Sequence, residues 1–172
     1  MGELVVQATG TQASIGVLIG NESADNQQQR LEGFRSVINE VDRFTIVDVR
    51  SSNISRLQAA DQAETILTNH PEVRYMVGLS SLDGLGILDA TQRAKLQDIH
   101  IFAFDDLDET QKGIAQCKIE STIVQQPKRM GYDAISLIHD YFRNKTVQQH
   151  HFTAITILDR HSPSITKEVS CP

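Results

Sequence analysis

No tryptophan occurs in this chain, and aromatic residues make up 5% of its 172 positions. A stacking platform for nucleic-acid bases or sugar rings is therefore not expected from these residues. Basic runs are missing too. Lys and Arg are scattered, the net charge is -6 and the pI about 5.4, which excludes the basic stripe of a nucleic-acid surface. No run approaches the ~18 apolar residues that a membrane span requires. The chain does not open on a basic segment followed by an apolar run, so no signal peptide is expected within it. Cys117 and Cys171 are the only cysteines. They are too few for a disulfide framework, and two separate thiols are expected rather than one bridge.

Catalytic and metal-binding patterns are equally sparse. His150 and His151 are adjacent, so on a strand they face opposite ways and do not share a metal. The other histidines are scattered, and neither a metal nor a cofactor is expected. The stretch GLGIL (Gly84 to Leu88) lies inside a helical pattern rather than after a strand, so it reads as helix packing and not as a dinucleotide fingerprint. Asp105-Asp106 follows a strand, as a Mg²⁺-binding phosphoacceptor pair would. That chemistry also needs a lysine at the end of the last strand, and residues 124 to 126 offer none. No nucleophile elbow or phosphate-cradling loop is present. No catalytic residue is assigned, and the chain does not read as an enzyme.

What is present is ample material for a core: 40% hydrophobic and 22% charged residues, the balance of an ordinary globular domain. A continuous apolar run at Ile15–Ile19 predicts a strand covered on both faces, and Phe44–Val49, Tyr75–Leu79, Ile99–Phe104 and Ile119–Val124 predict four more strands. Between them, apolar residues three to four apart predict helices over Gln27–Val41, about Ile54–Asn69, Leu82–Ala94 and Leu107–Gln116. The segment RSSN (Arg50 to Asn53) offers caps to the second of these helices. Ser80 followed by Asp83 reads as a capping box for the third. Pro127 sits where a first helical residue tolerates proline, and Met130, Ala134, Leu137, Ile138 and Tyr141 form the stripe of a helix to about Phe142. A last strand is predicted over Phe152–Leu158, followed by an irregular tail from residue 159. Strand and helix alternate with short links, which predicts an α/β fold with a doubly wound, mostly parallel sheet in one domain. The core spans about 12–125, then residues 127–158 add a helix and a final strand.

Ligands of such sheets bind beyond the carboxyl ends of the strands. The residues there are all polar or charged: Asn21, Glu22 and Ser23; Arg50 and Ser51; Ser80 and Ser81; Asp105 and Asp106; Gln125 and Gln126. Carboxylates accepting from vicinal hydroxyls, and amides that both donate and accept, suit a polyol. Taken from periodicity alone, ordinary caps and turns explain the same residues.

Five segments occur in order: RLEGF (Arg30 to Phe34), NHPEVRYMVGLSSLDGLGIL, IFAFDD, GIAQCKIESTIVQQP and MGYDAISLI. Together they resemble the second lobe of ribose-binding-type periplasmic sugar-binding proteins, a lobe also found in lactose-repressor-type regulators. The resemblance covers roughly residues 12–158. It implies a lobe that grips a small sugar or polyol against a second, N-terminal lobe. Leu4 to Ala8 would be the last helix before the chain enters this lobe, and Gln125–Gln126 the point where it crosses back. Asp105 matches the family aspartate and Gln125 the glutamine before the crossover. Ser80 stands where asparagine is usual and Gln28 where an arginine is usual; Arg30 matches a neighbouring, structural arginine. Ligand contact is therefore expected from Gln28, Ser80, Asp105 and Gln125.

Two functions follow from the resemblance. A solute-binding protein of a carbohydrate ABC transporter would work with a membrane permease, outside the cytoplasm, in the periplasm or lipid-anchored at the cell surface. The effector-binding half of a regulator would be cytoplasmic, with its DNA-binding part upstream. The helix after Pro127 and the patch Leu4–Val6 lack their usual lobe, so self-association into a homodimer is expected.

Overall fold

The computed structural model describes residues 1–165. The elements run in chain order as α1 (Gly2–Ala8), β1 (Ala13–Ile19), α2 (Asp25–Ile38), β2 (Phe44–Ser51), α3 (Arg56–Asn69), β3 (Val73–Gly78), α4 (Asp83–Ala94), β4 (His100–Phe104), α5 (Asp108–Ala115), β5 (Ser121–Val124), α6 (Pro127–Phe142) and β6 (Thr156–Asp159). One sheet holds all of the described strands in the order β2-β1-β3-β4-β5-β6. Every pairing is parallel except β5 with β6. The expected α/β, doubly wound, mostly parallel sheet is what the chain forms.

Alternation along the strands assigns the two faces. Ile15, Val17 and Ile19 of β1 pack with Val5 of α1 and Leu31, Phe34 and Ile38 of α2. Leu18 of β1, Met76 of β3 and Ile101 of β4 pack on the other face, against α3, α4 and α5. Removing each such fully buried side chain from water contributes roughly 1.5–3 kcal/mol. Helices α3 and α4 approach closely because Ala59 and Ala60 face Gly86, where a Cβ would collide with Ala59.

Several local expectations are corrected. The cap of α3 is Ser55, whose side chain accepts from the Gln58 amide, not a residue of the RSSN segment. Asn53 and Ile54 adopt left-handed backbone (φ 51° and 55°) and delay the helix. Only half of the expected capping box at α4 forms. Asp83 accepts from the Ser80 amide, whereas the Ser80 hydroxyl is buried without a hydrogen-bond partner. The last strand is shorter than Phe152–Leu158. It begins at Thr156, and Phe152 is 88% exposed. His150 and His151 thus precede the strand, and His151 Nε2 lies 3.0 Å from Asp133 Oδ2 of α6. The separate-thiol expectation is wrong as well: Cys117 is disulfide-bonded, while Cys171 lies outside the described residues.

The two elements expected to lack a partner part ways. Helix α1 packs against α2 within the chain, and Arg43 closes its C-terminal end by donating to the carbonyls of Val6 and Thr9. Helix α6 leaves Tyr132, Ile135, Tyr141 and Phe142 each more than 60% exposed.

Candidate functional site

The strand order reverses direction at β1, so the switch point of the sheet lies between β1 and β3. At the carboxyl ends of β1, β3, β4 and β5 the chain presents Gly20, Ser80, Asp105 and Gln125 in turn.

Asp105 and Gln125 meet directly. Gln125 Nε2 donates to Asp105 Oδ1 at 3.2 Å, and both residues are half-buried. The backbone of Asp105 is left-handed (φ 64°), a conformation that aspartate tolerates better than most residues. It is fixed from β5 on both sides: the Asp105 amide donates to the Ile123 carbonyl at 2.8 Å, and Thr122 Oγ1 donates to the Asp105 carbonyl at 2.7 Å. This turn lifts the carboxylate out of the strand at the rim. One of its oxygens accepts from Gln125, and the other has capacity left for a ligand hydroxyl.

Ser80 joins this pair through Arg30. The Arg30 guanidinium donates from Nη1 to the Leu79 carbonyl at 2.8 Å and lies 3.9 Å above the centre of the Phe104 ring. It thus spans the residues immediately before Ser80 and Asp105. Burial lowers the pKa of Arg30, and the charges of Asp105 and Asp83 oppose that shift; the group stays cationic. Among the described residues it donates only to Leu79, so most of its five N–H donors are uncommitted.

Gln28 is not brought to the others. Its amide donates to the Glu22 carbonyl at 2.8 Å on an exposed surface. The phase of α2 explains this. Gln27, Leu31, Phe34 and Ile38 are its buried face, and a residue one position after Gln27 turns about 100° away from it. Gln27 itself is drawn in, its Oε1 accepting from the Gly20 amide at 3.1 Å. Other polar rim residues act as turns and ion pairs. Asn21 accepts from the Ser23 amide, Arg50 pairs with Asp48, and the Asp106 carbonyl accepts from Gln111.

Three participants were not legible as site residues. Arg30 stood only as a neighbouring structural arginine. Ile54, left-handed and 55% exposed, reaches the switch point. A Cβ on Gly20 would stand 3.2 Å from its Cγ1 and 2.9 Å from Ser80 Cβ, so glycine is required there. Asp83, fully buried, accepts from the Ser52 hydroxyl and the Ser80 amide. Its carboxyl is raised above the ordinary aspartate range because burial outweighs these donors. Among the described residues no cluster of three or more His, Cys, Asp or Glu could hold a metal. The assembled rim offers hydrogen-bond donors and acceptors with one cation, and no nucleophile paired to a base.

The model of a family described as the periplasmic binding protein domain matches residues 1–146. The D-apiose import binding protein of Paraburkholderia graminis is 26% identical over 142 residues, covering 83% of this chain and 46% of that protein. The ribose import binding protein of Escherichia coli is 23% identical over 147 residues, covering 86% of this chain and 49% of that protein. Among solved structures, a glucose-galactose binding protein from Geobacillus stearothermophilus superposes with a TM-score of 0.90 at 30% identity, over 95% of this chain and 59% of that one. The chain therefore spans about half the length of the curated relatives it matches.

Proposed function

Because the chain belongs to the periplasmic binding protein domain family, we propose that it is the second, C-terminal lobe of a sugar-binding protein serving an ABC-type importer. The lobe comprises the core at 12–125, with the crossover helix and last strand at 127–158. The ligand is a small sugar or polyol of the class that its relatives' names announce, such as a pentose or hexose.

The single observation that carries this reading is the Asp105–Gln125 hydrogen bond at the carboxyl rim, with Arg30 beside it. An anionic acceptor, an amide and a guanidinium in one row can satisfy several hydroxyls of one sugar face. Asp105, Gln125 and Ser80 line that face. Gln28, turned onto Glu22, is the weakest of the four assigned contacts. Binding would proceed by closure of two lobes about a hinge, the companion N-terminal lobe supplying the opposite face and covering α6. The role is binding and delivery to a membrane permease, not catalysis.

The alternative is the effector-binding half of a lactose-repressor-type regulator in the cytoplasm. The disulfide at Cys117 favours the first reading, since disulfides persist in oxidising compartments and are rare in the cytosol. It supports an extracytoplasmic location, in the periplasm or at the cell surface. The test is calorimetric titration of the two-lobe protein with D-ribose, D-apiose, D-glucose and D-galactose. Binding of at least one sugar that is lost in Asp105→Ala supports the proposal; no binding of any sugar refutes it.

A further inference from the structure

Asp83 is a carboxylate with no exposure at all and no ion-pair partner among the described residues. Buried charges are normally paired, because removing them from water is costly. Helix capping does not account for this placement, since a cap needs one oxygen and tolerates water. Here Oδ2 accepts from the Ser80 amide, and Oδ1 accepts from Ser52 Oγ in a different loop. Ser52 is fully buried, and its amide donates to the Ile19 carbonyl at 2.8 Å. Two residues on, the Ile54 amide donates to the Gly20 carbonyl at 2.8 Å. One carboxylate therefore ties together the ends of β1, β2 and β3 at the switch point.

The charged groups that face it are few. From α2 comes Arg30, which feels both Asp83 and Asp105. From the loop after β4 comes Asp105, whose charge also acts on Arg30. The loops after β2 and β3 contribute uncharged donors, chiefly the Ser52 hydroxyl and the Ser80 amide. Arg30 is held at the Leu79 carbonyl, one residue before the Ser80 amide that Asp83 accepts from, and over the Phe104 ring, one residue before Asp105; among the described residues it forms an ion pair with neither carboxylate.

We propose that Asp83 is a positioning residue of the ligand rim: it fixes the Ser80 and Ile54 loops and, as the second anion facing Arg30, keeps that guanidinium from closing onto Asp105. The Asp105 carboxylate is thereby left available to a ligand hydroxyl. This inference rests on the reading of the rim as a sugar site. Burial also raises the Asp83 carboxyl, so its charge weakens the fold at neutral pH while serving the site, a trade common at functional positions.

Asp83→Asn separates the two roles. An asparagine can accept from the Ser80 amide and donate to the Ser52 oxygen, since a hydroxyl both donates and accepts. The loops stay tied and only the charge is lost. In the chain alone, without ligand, the expected NMR result has two parts. The Ser80 amide remains protected from exchange in Asp83→Asn, and the Arg30 guanidinium protons shift in a way that Asp105→Asn abolishes, the mark of a new Arg30–Asp105 pair. Asp83→Ala should release the Ser80 amide about tenfold or more, as expected for a lost hydrogen bond to a charged group. In the two-lobe protein, Asp83→Asn should weaken sugar binding about tenfold with no fall in Tm at pH 7. Unchanged Arg30 resonances in Asp83→Asn would overturn the inference. So would a loss of binding that merely follows a loss of stability. If no sugar binds the wild type, the site reading fails, and the ligand-free Arg30 signal still decides the positioning role.

Discussion

Gln125 and Asp105, 20 positions apart in sequence, share a hydrogen bond of 3.2 Å between the ends of neighbouring strands β5 and β4. The parallel register delivers them there. Phe104 stands opposite Ile123, so Asp105 and, one residue past Val124, Gln125 emerge at the same rim.

Asp105 should be separable from its backbone. Asparagine tolerates the left-handed conformation about as well as aspartate, so Asp105→Asn should leave the melting temperature nearly unchanged. It should weaken sugar binding about tenfold or more, the worth of a hydrogen bond to a charged acceptor. Asp105→Ala should add a loss of stability on the order of 1 kcal/mol from the left-handed backbone. Calorimetry and thermal melts on the same samples check both.

The disulfide at Cys117 should be measurable as stability. Reduction should lower the unfolding free energy by about 2–4 kcal/mol, read from urea melts with and without dithiothreitol. Thiol labelling of the native, unreduced protein should leave Cys117 unmodified. Rapid labelling at Cys117 would remove the argument for an oxidising compartment.

Helix α6 should drive association when the chain stands alone. Its exposed Tyr132, Ile135, Tyr141 and Phe142 form an apolar face that nothing in the described residues covers, and faces of this kind are usually interfaces. Sedimentation should show concentration-dependent self-association, and Ile135→Asp should shift it toward monomer. A monomer at all concentrations would contradict the need for a companion lobe over this helix.

Asp133 gives a pH signature on the same helix. Its carboxyl is held below the ordinary aspartate range, first by His151 and then by Arg129. A depressed carboxyl contributes stability above its unfolded pKa, and that stability is lost as pH falls through the lowered value. The tether between α6 and residue 151 should therefore persist through mildly acidic pH and open only below the usual aspartate titration. The His151 ring resonances report it; release at a higher pH would place the cause elsewhere.

Much of this architecture could be read from sequence because apolar and β-branched segments alternate with helical spacing, and α6 announces itself by Pro127 and its stripe. The rim position of Asp105 and Gln125 follows from the strand ends, whereas their assignment as ligand contacts comes from the family resemblance. Family position alone does not carry helix phase, and it leaves Gln28 apart from the other three expected contacts. The buried stripe Gln27, Leu31, Phe34 and Ile38 places Arg30 nearer the sheet and Gln28 toward water. Ile54 was hidden because a β-branched residue in left-handed backbone runs against local preference. The sequence shows Asp83 only as a cap, because its second partner, Ser52, is 31 residues distant. The Cys117 bridge is not visible in the sequence because spacing along the chain says nothing about proximity in the fold.

The most direct measurement is a sugar titration of the isotope-labelled chain followed by amide NMR. Sugar-dependent shifts should concentrate at Ser80, Asp105 and Gln125. The affinity should be weak, on the order of millimolar, because one lobe supplies half the contacts. Shifts confined to the opposite end of the sheet, around His100 and Glu120, or tight binding by this chain unaided, would contradict a half-clamp built from the strand tips.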